Sequence, residues 1–219
     1  MVLDACPKLL QLPRSDSALC FAGDTAATYP LMMQLANAIA AHGPARDRSL
    51  DISTLKAHML RVFTDIILSV KDASVPFTTG DGQFIFGGYS WKSRAFRLWT
   101  IYWAPKKKRF EARESLSFHP SLNKIAFIGD RAKDLRGRLV LDLKMLQEGH
   151  KVFLEPMRTL ARMLEAATIA DSIGGPPQVI RVTPHMNTRP LCVLWGSEKV
   201  PTLFGRELFD YEKSRLLDD

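Results

Sequence analysis

The stretch from Phe96 to Trp103 constrains the fold most. Alternate positions place Phe96, Leu98, Thr100 and Tyr102 on one face of a strand and Arg97, Trp99, Ile101 and Trp103 on the other. Both faces carry large apolar groups. An antiparallel sheet with one wet face would alternate apolar and polar, so the pattern predicts a sheet covered on both sides.

Helices to cover it are legible on either side. Leu19 to Gly23 reads as a small apolar strand running directly into a helix capped at Asp24 or Thr25. That helix carries Leu31, Met32, Leu35, Ala38 and Ile39 and stops at His42-Gly43-Pro44. A second starts near Asp51 and Ser53 and repeats an apolar residue every three or four positions from Leu55 to Val70. Residues 43–48 read as a polar connection of a length usual between paired helices.

After Thr79-Gly80-Asp81-Gly82 the pattern predicts four strands: Gln83 to Tyr89, Ala95 to Trp103, Arg109 to Leu116 and Lys124 to Gly129. Two helices follow, Arg131 to Glu148 and Phe153 to Asp171, separated at Gly149. Val179 to Thr183 and Pro190 to Trp195 read as a closing antiparallel pair, with a tail from Val200. No linker divides the chain, so residues 1–219 are expected to form one α+β domain. With helices in pairs and strands buried on both faces, the economical packing is a four-layer α-β-β-α sandwich.

Composition excludes several classes. The chain has 219 residues, 46% of them apolar, with 30 Lys and Arg against 23 Asp and Glu. That balance argues against disorder and supports a buried core. No apolar run approaches a membrane span, and the start shows no signal sequence, so a cytoplasmic protein without membrane contact is expected. Cys6, Cys20 and Cys192 are too few and too far apart for a disulfide framework or a metal knuckle. The net charge of +7 is dispersed. Its densest run, Lys106 to Arg109, reads as a solvated hairpin loop, with nucleic acid as the competing partner.

The ordered motifs resemble those of proteasome-type subunits, which belong to the N-terminal-nucleophile hydrolases. Lys8-Leu9-Leu10-Gln11-Leu12 is similar to the family's Lys-hydrophobic strand, and Leu19 to Asp24 to the small-residue strand entering its first helix. Phe84-Ile85-Phe86-Gly87-Gly88-Tyr89 and Leu98 to Trp103 resemble the two strands after its second helix. Ala161-Arg162 through Asp171, then Gly174-Gly175 and Val179 to Val182, resemble its fourth helix and Asp…Gly-Gly exit. The similarity runs from about Asp4 to Trp195, and order and spacing carry it.

The resemblance implies a threonine-type site for peptide or amide bonds. There an N-terminal Thr hydroxyl attacks the carbonyl and its own α-amine serves as base; Ser or Cys replaces Thr in the wider superfamily. On that pattern Lys8 lowers the nucleophile's pKa and Asp171 supports it. The family's nucleophile lies on a strand about thirty residues before that lysine. Only seven residues precede Lys8, so the attacking group is expected to be missing from the chain as written. Two further departures weaken catalysis: Ile173 stands where the family has Ser before the glycines, and Asp130 follows the Ile125 to Gly129 segment where it has a second Ser.

Other chemistry is thinner. Cys6 lies two residues from Lys8, about 6 to 7 Å along a strand, too far for a nucleophile and its activator, and reads as a buried thiol. Ser53-Thr54-Leu55-Lys56 fits S-x-x-K without its companion elements and reads as a helix first turn. Ser121 to Lys124 fits the same pattern at a strand start, where the side chains diverge. Gly88 to Lys92 lacks the last glycine of a nucleophile elbow. His42, His58, His119, His150 and His185 are scattered, no phosphate-cradling glycine loop occurs, and no cofactor or metal is expected.

The expectation is therefore a divergent proteasome-like subunit of a peptide-hydrolysing lineage, without its nucleophile. Either a late start hides an upstream hairpin or the subunit is a non-catalytic assembly protein. The resemblance implies a homo- or hetero-oligomer, with Tyr89, Trp91 or Trp103 as candidate contacts and a peptide or protein substrate if active. The alternative is a basic binding module on the same scaffold, holding nucleic acid or an acidic protein.

Overall fold

A computed structural model describes residues 6–70, 77–78, 81–119, 122–146, 152–168 and 171–216. Strands β1 (Leu9–Gln11) and β2 (Ser17–Gly23) lead into helices α1 (Thr25–Ala41), α2 (Gly43–Arg46) and α3 (Ile52–Ser69). Next come β3 (Gly82–Ser90), β4 (Ala95–Ala104), β5 (Arg109–Glu114), β6 (Ser117–His119) and β7 (Leu122–Lys124). Helices α4 (Ala132–Met145) and α5 (Glu155–Glu165) precede β8 (Val179–Val182), β9 (Thr188–Leu191), β10 (Val193–Trp195), β11 (Val200–Leu203), β12 (Arg206–Glu207) and α6 (Asp210–Leu216).

The main sheet is antiparallel, in sequential order β1-β2-β3-β4-β5. Its register stacks Leu19, Phe86 and Trp99 in one cross-strand row and Phe21, Phe84, Ile101 and Ala112 in the next. On this face every such residue but Ala112 is buried. The buried stripe of α1 (Leu31, Met32, Leu35, Ile39) and of α3 (Leu55, Met59, Phe63) packs onto it in a single core. Phe63 lies 4.8 Å from Phe84 and 5.5 Å from Phe110, ring centroid to centroid. Aromatic packing of that kind anchors the helices to the sheet.

Helix starts match the sequence. Asp24 caps α1 by accepting from the Ala26 N–H, and Asp51 caps α3 by accepting from the Ser53 N–H. The connection at 43–48, expected as loop, contains the short helix α2, with Pro44 in its first turn.

Elsewhere the structure departs from expectation. Trp99, Ile101 and Trp103 of β4 are buried, whereas on the opposite face Leu98, Thr100 and Tyr102 are half-buried and Phe96 is exposed. The strand expected at Lys124 to Gly129 is limited to β7, and residues 125–128 run without a pairing partner among the described residues. Helix α5 ends at Glu165, short of Asp171. The segment Pro190 to Trp195 divides at Cys192, β9 pairing with β8 and β10 with β11. The expected tail from Val200 forms two strands of the sheet β10-β11-β12. Ser121, Glu148, Gly149, His150 and Ala170 fall outside the described residues.

Among the described residues, four separate antiparallel sheets accompany the helices, a mixed α+β structure. Among the described residues no helix is long and apolar enough to cross a membrane.

Candidate functional site

Lys8 sits just before β1, half-buried. Its Nζ lies 4.3 Å above the centre of the Phe21 ring, a cation–π contact. Its backbone N–H donates to Gln178 Oε1 at 2.7 Å, while Gln178 Nε2 donates to the Cys6 carbonyl at 2.8 Å. One amide side chain thus ties the start of β1 to the segment entering β8. Nothing in the sequence marks Gln178 for this role, since a Gln after two prolines carries no pattern of its own.

Asp171 lies beyond the end of α5 and belongs to a different cluster. It accepts from the Thr168 N–H at 2.9 Å and the Thr168 hydroxyl at 3.0 Å, and Arg131 Nη1 donates to it at 2.6 Å. The Thr168 donors, reinforced by the Arg131 charge, hold its carboxyl below the ordinary aspartate range. Arg131 also bonds Asp134 through Nε. The Gly129-Asp130-Arg131 turn, which the resemblance matches to a site loop, is thereby fastened to Asp171. Among the described residues no hydrogen bond or ion pair joins Lys8 to Asp171.

The remaining candidates have structural partners. The Cys6 thiol lies 3.1 Å from the Tyr29 hydroxyl, which donates to the Pro7 carbonyl. Burial pushes the Cys20 thiol up to about 11, leaving it protonated and a poor nucleophile. Ser53 lies in the first turn of α3, and Ser90 donates its hydroxyl to Asp51 at 2.7 Å. His58 and His42 rings stand 6.2 Å apart, and no cluster of three metal-ligating residues occurs among the described residues. In the basic run, Lys107 and Arg109 both bond Glu111 at 2.8 Å, which moderates its positive charge.

A large opening lies on the other face of the main sheet. A cavity of about 1070 Å³ has Cys20, Ile85 and Leu98 on its sheet side, with Phe127, Met157 and Ile180 facing them. Half-buried Ala18, Cys20, Ile85, Gly87 and Leu98 border it, so this part of the sheet face is not sealed. Arg97 and Lys124 are its only charged lining residues among those described, and both bond Glu114 at 2.6 Å.

Comparison with protein-family models and with curated proteins finds no match for this chain.

Proposed function

We propose that the chain is a proteasome-like subunit of the N-terminal-nucleophile fold, from a peptide- or amide-hydrolysing lineage, and that residues 1–219 serve assembly and not bond cleavage. The observation that carries this reading is the crossover from β2 to β3. Two adjacent antiparallel strands are joined by a helix pair that lies on one face of the sheet, with β4 and β5 added in sequence. That is the order in which the resembling motifs occur. On the other face, residues of α4, α5 and β8 line the cavity against the main sheet, which supports reading helices on both sides of that sheet.

The Arg131–Asp171 bond supports the same reading, because it unites two segments that the resemblance places in one site. Lys8 would be the site's positive group and Asp171 its supporting carboxylate. Lys8 Nζ faces an aromatic ring and Asp171 is neutralised by Arg131, so neither is arranged to activate a hydroxyl or thiol.

Light scattering on the purified chain, together with hydrolysis of fluorogenic peptide amides, tests the proposal. A particle several times the 24.6 kDa chain mass without turnover is expected. A strict monomer, or turnover abolished by replacing one of the chain's own side chains, would overturn it.

A further inference from the structure

Arg48 joins the loops at one end of the main sheet. Its Nη1 donates to the Ser15 hydroxyl at 3.1 Å, in the β1–β2 turn, and to the Met186 carbonyl at 3.4 Å, in the β8–β9 turn. Its own carbonyl accepts from Trp91 Nε1 at 3.1 Å, in the β3–β4 turn. The Lys92 N–H reaches Asp51 at 3.4 Å, which holds that same turn to the start of α3.

The fold thereby gathers charges that are scattered along the sequence. Residues 12–17, 43–51, 90–95 and 181–189 hold seven Arg or Lys against three Asp. Two of the acids are committed inside the protein: Asp16 is sealed against Arg14, and buried Asp51 holds the α3 cap and the Ser90 hydroxyl. Asp47 is left at the surface, accepting from Ser49. Against it stand Arg46, Arg48, Lys92 and Arg94, none of which forms an ion pair among the described residues. Arg181 and Arg189, both exposed, face one another directly across β8–β9. Like charges so placed repel, and a bound anion relieves them.

Two local features serve no packing need. Trp91 is 42% exposed, its indole fixed by the bond to Arg48, with Lys92 Nζ 5.5 Å from the ring centre. Arg94 holds left-handed backbone at φ 50°, where glycine sits without strain, and its side chain has no hydrogen bond or ion pair among the described residues. A flat apolar ring among unpaired cations matches an unstacked base and its flanking phosphates. A duplex keeps its base faces covered, and an acidic polypeptide offers carboxylates without a flat face.

We propose that this loop cluster binds single-stranded nucleic acid, one base stacking on Trp91 while Arg46, Arg48, Lys92 and Arg94 take the phosphates on either side. Neither the stacking nor the charge depends on the hydrolase lineage.

Fluorescence anisotropy of the full chain with fluorescein-labelled oligothymidylate and oligouridylate of about ten nucleotides tests this. Saturable binding to one or both is expected, the tighter naming DNA or RNA as the source. Log affinity should fall by about 0.7 per log unit of salt for each phosphate held. Trp91→Ala lowers affinity roughly tenfold, and Arg94→Gly, which suits the left-handed backbone, reduces the salt slope by about 0.7. Lys106→Gln with Lys108→Gln, in the densest basic run, leaves both readings unchanged, and a cooperative urea transition shows that each variant is folded. No binding at low salt, binding indifferent to Trp91, equal affinity for a duplex of the same length, or a loss in the Lys106 and Lys108 variant as large as in Arg94→Gly would overturn the proposal. So would polyglutamate displacing the probe as well as unlabelled oligonucleotide does, which would assign the surface to an acidic polypeptide.

Discussion

Arg14 and Asp16, two residues apart and both sealed from solvent, grip one another in the turn between β1 and β2. Arg14 Nε donates to Asp16 Oδ1 at 2.6 Å and Nη2 to the other oxygen. Arg14 also donates to the carbonyls of Ala45 and Leu50, and the Ser17 hydroxyl donates to Asp16. The ion pair thereby locks the β1–β2 turn to the α2–α3 connection. Removing one partner strands a buried charge, so Asp16→Ala is expected to cost about 3–5 kcal/mol in urea unfolding. Replacing both, as Arg14→Met with Asp16→Leu, should cost less than Asp16→Ala alone.

The backbone of Asp16 makes a second prediction. Its carbonyl accepts from the Tyr89 N–H at 2.9 Å, and a Cβ placed on Gly88 would collide with that same carbonyl oxygen. Gly88 faces Ser17 in the register, so neither strand can withdraw without breaking the sheet. Gly88→Ala is therefore expected to destabilise by about 1–3 kcal/mol, read as a lowered urea midpoint.

Asp51 links a helix cap to a distant strand end. Burial pushes its carboxyl up, but the N–H of Ser53, the Ser90 hydroxyl and the Lys92 N–H outweigh it and hold the pKa below the ordinary value. An unfolded Asp titrates near about 3.9. The stabilisation is thus fully present above that pH and is lost as pH falls through the lower folded pKa. Asp51→Asn should flatten this acid limb of the stability curve, measured as urea midpoints from neutral pH downward. A variant curve parallel to the wild type would contradict the assignment.

Asp171 is expected to titrate in response to its two neighbours separately. Thr168 supplies the larger effect through its N–H and hydroxyl, and Arg131 the smaller. Thr168→Val keeps the N–H and removes the hydroxyl; Arg131→Ala removes the charge. Each should raise the Asp171 pKa in a carboxyl NMR titration. Because the ion pair is solvent-screened, stability should change little in Arg131→Ala.

What the sequence discloses follows the range of the interaction. The caps at Asp24 and Asp51 are set by chemistry within two residues, and both are readable. The edges of β2, β3 and β4 follow from alternation and bounding turn residues. Ile125 to Ile128 has the apolar, β-branched look of a strand, yet strand formation needs a neighbour; Phe127 instead packs against Phe118 at 5.6 Å between ring centroids. Arg14 looks like an ordinary loop arginine, since nothing local announces that the α2–α3 connection will bury it. The same holds at the candidate site. Asp171 stands out through the resemblance, whereas Arg131, forty residues earlier, reads as the start of a helix until the fold brings the two together.

His58 supplies the last prediction. Its Nε2 is buried without a partner among the described residues, and the His42 ring lies 6.2 Å away, with Arg61 nearby on the same helix. Burial, then the charges of His42 and Arg61, disfavour the protonated ring and lower its pKa. An unfolded histidine titrates near about 6.5. Above that pH both states hold a neutral ring and nothing is lost. As pH falls through it, the unfolded chain takes up the proton first, so folding weakens until the folded ring also titrates. His58→Leu removes both the orphaned nitrogen and the titration. Its stability at neutral pH should stay within about 1 kcal/mol of wild type, because an unpaired buried polar atom is lost along with a well-sized ring. The difference between the two proteins should then shift in favour of the variant as pH drops below the ordinary histidine value. Urea midpoints across that range check it, and a constant difference would refute the role given to His58.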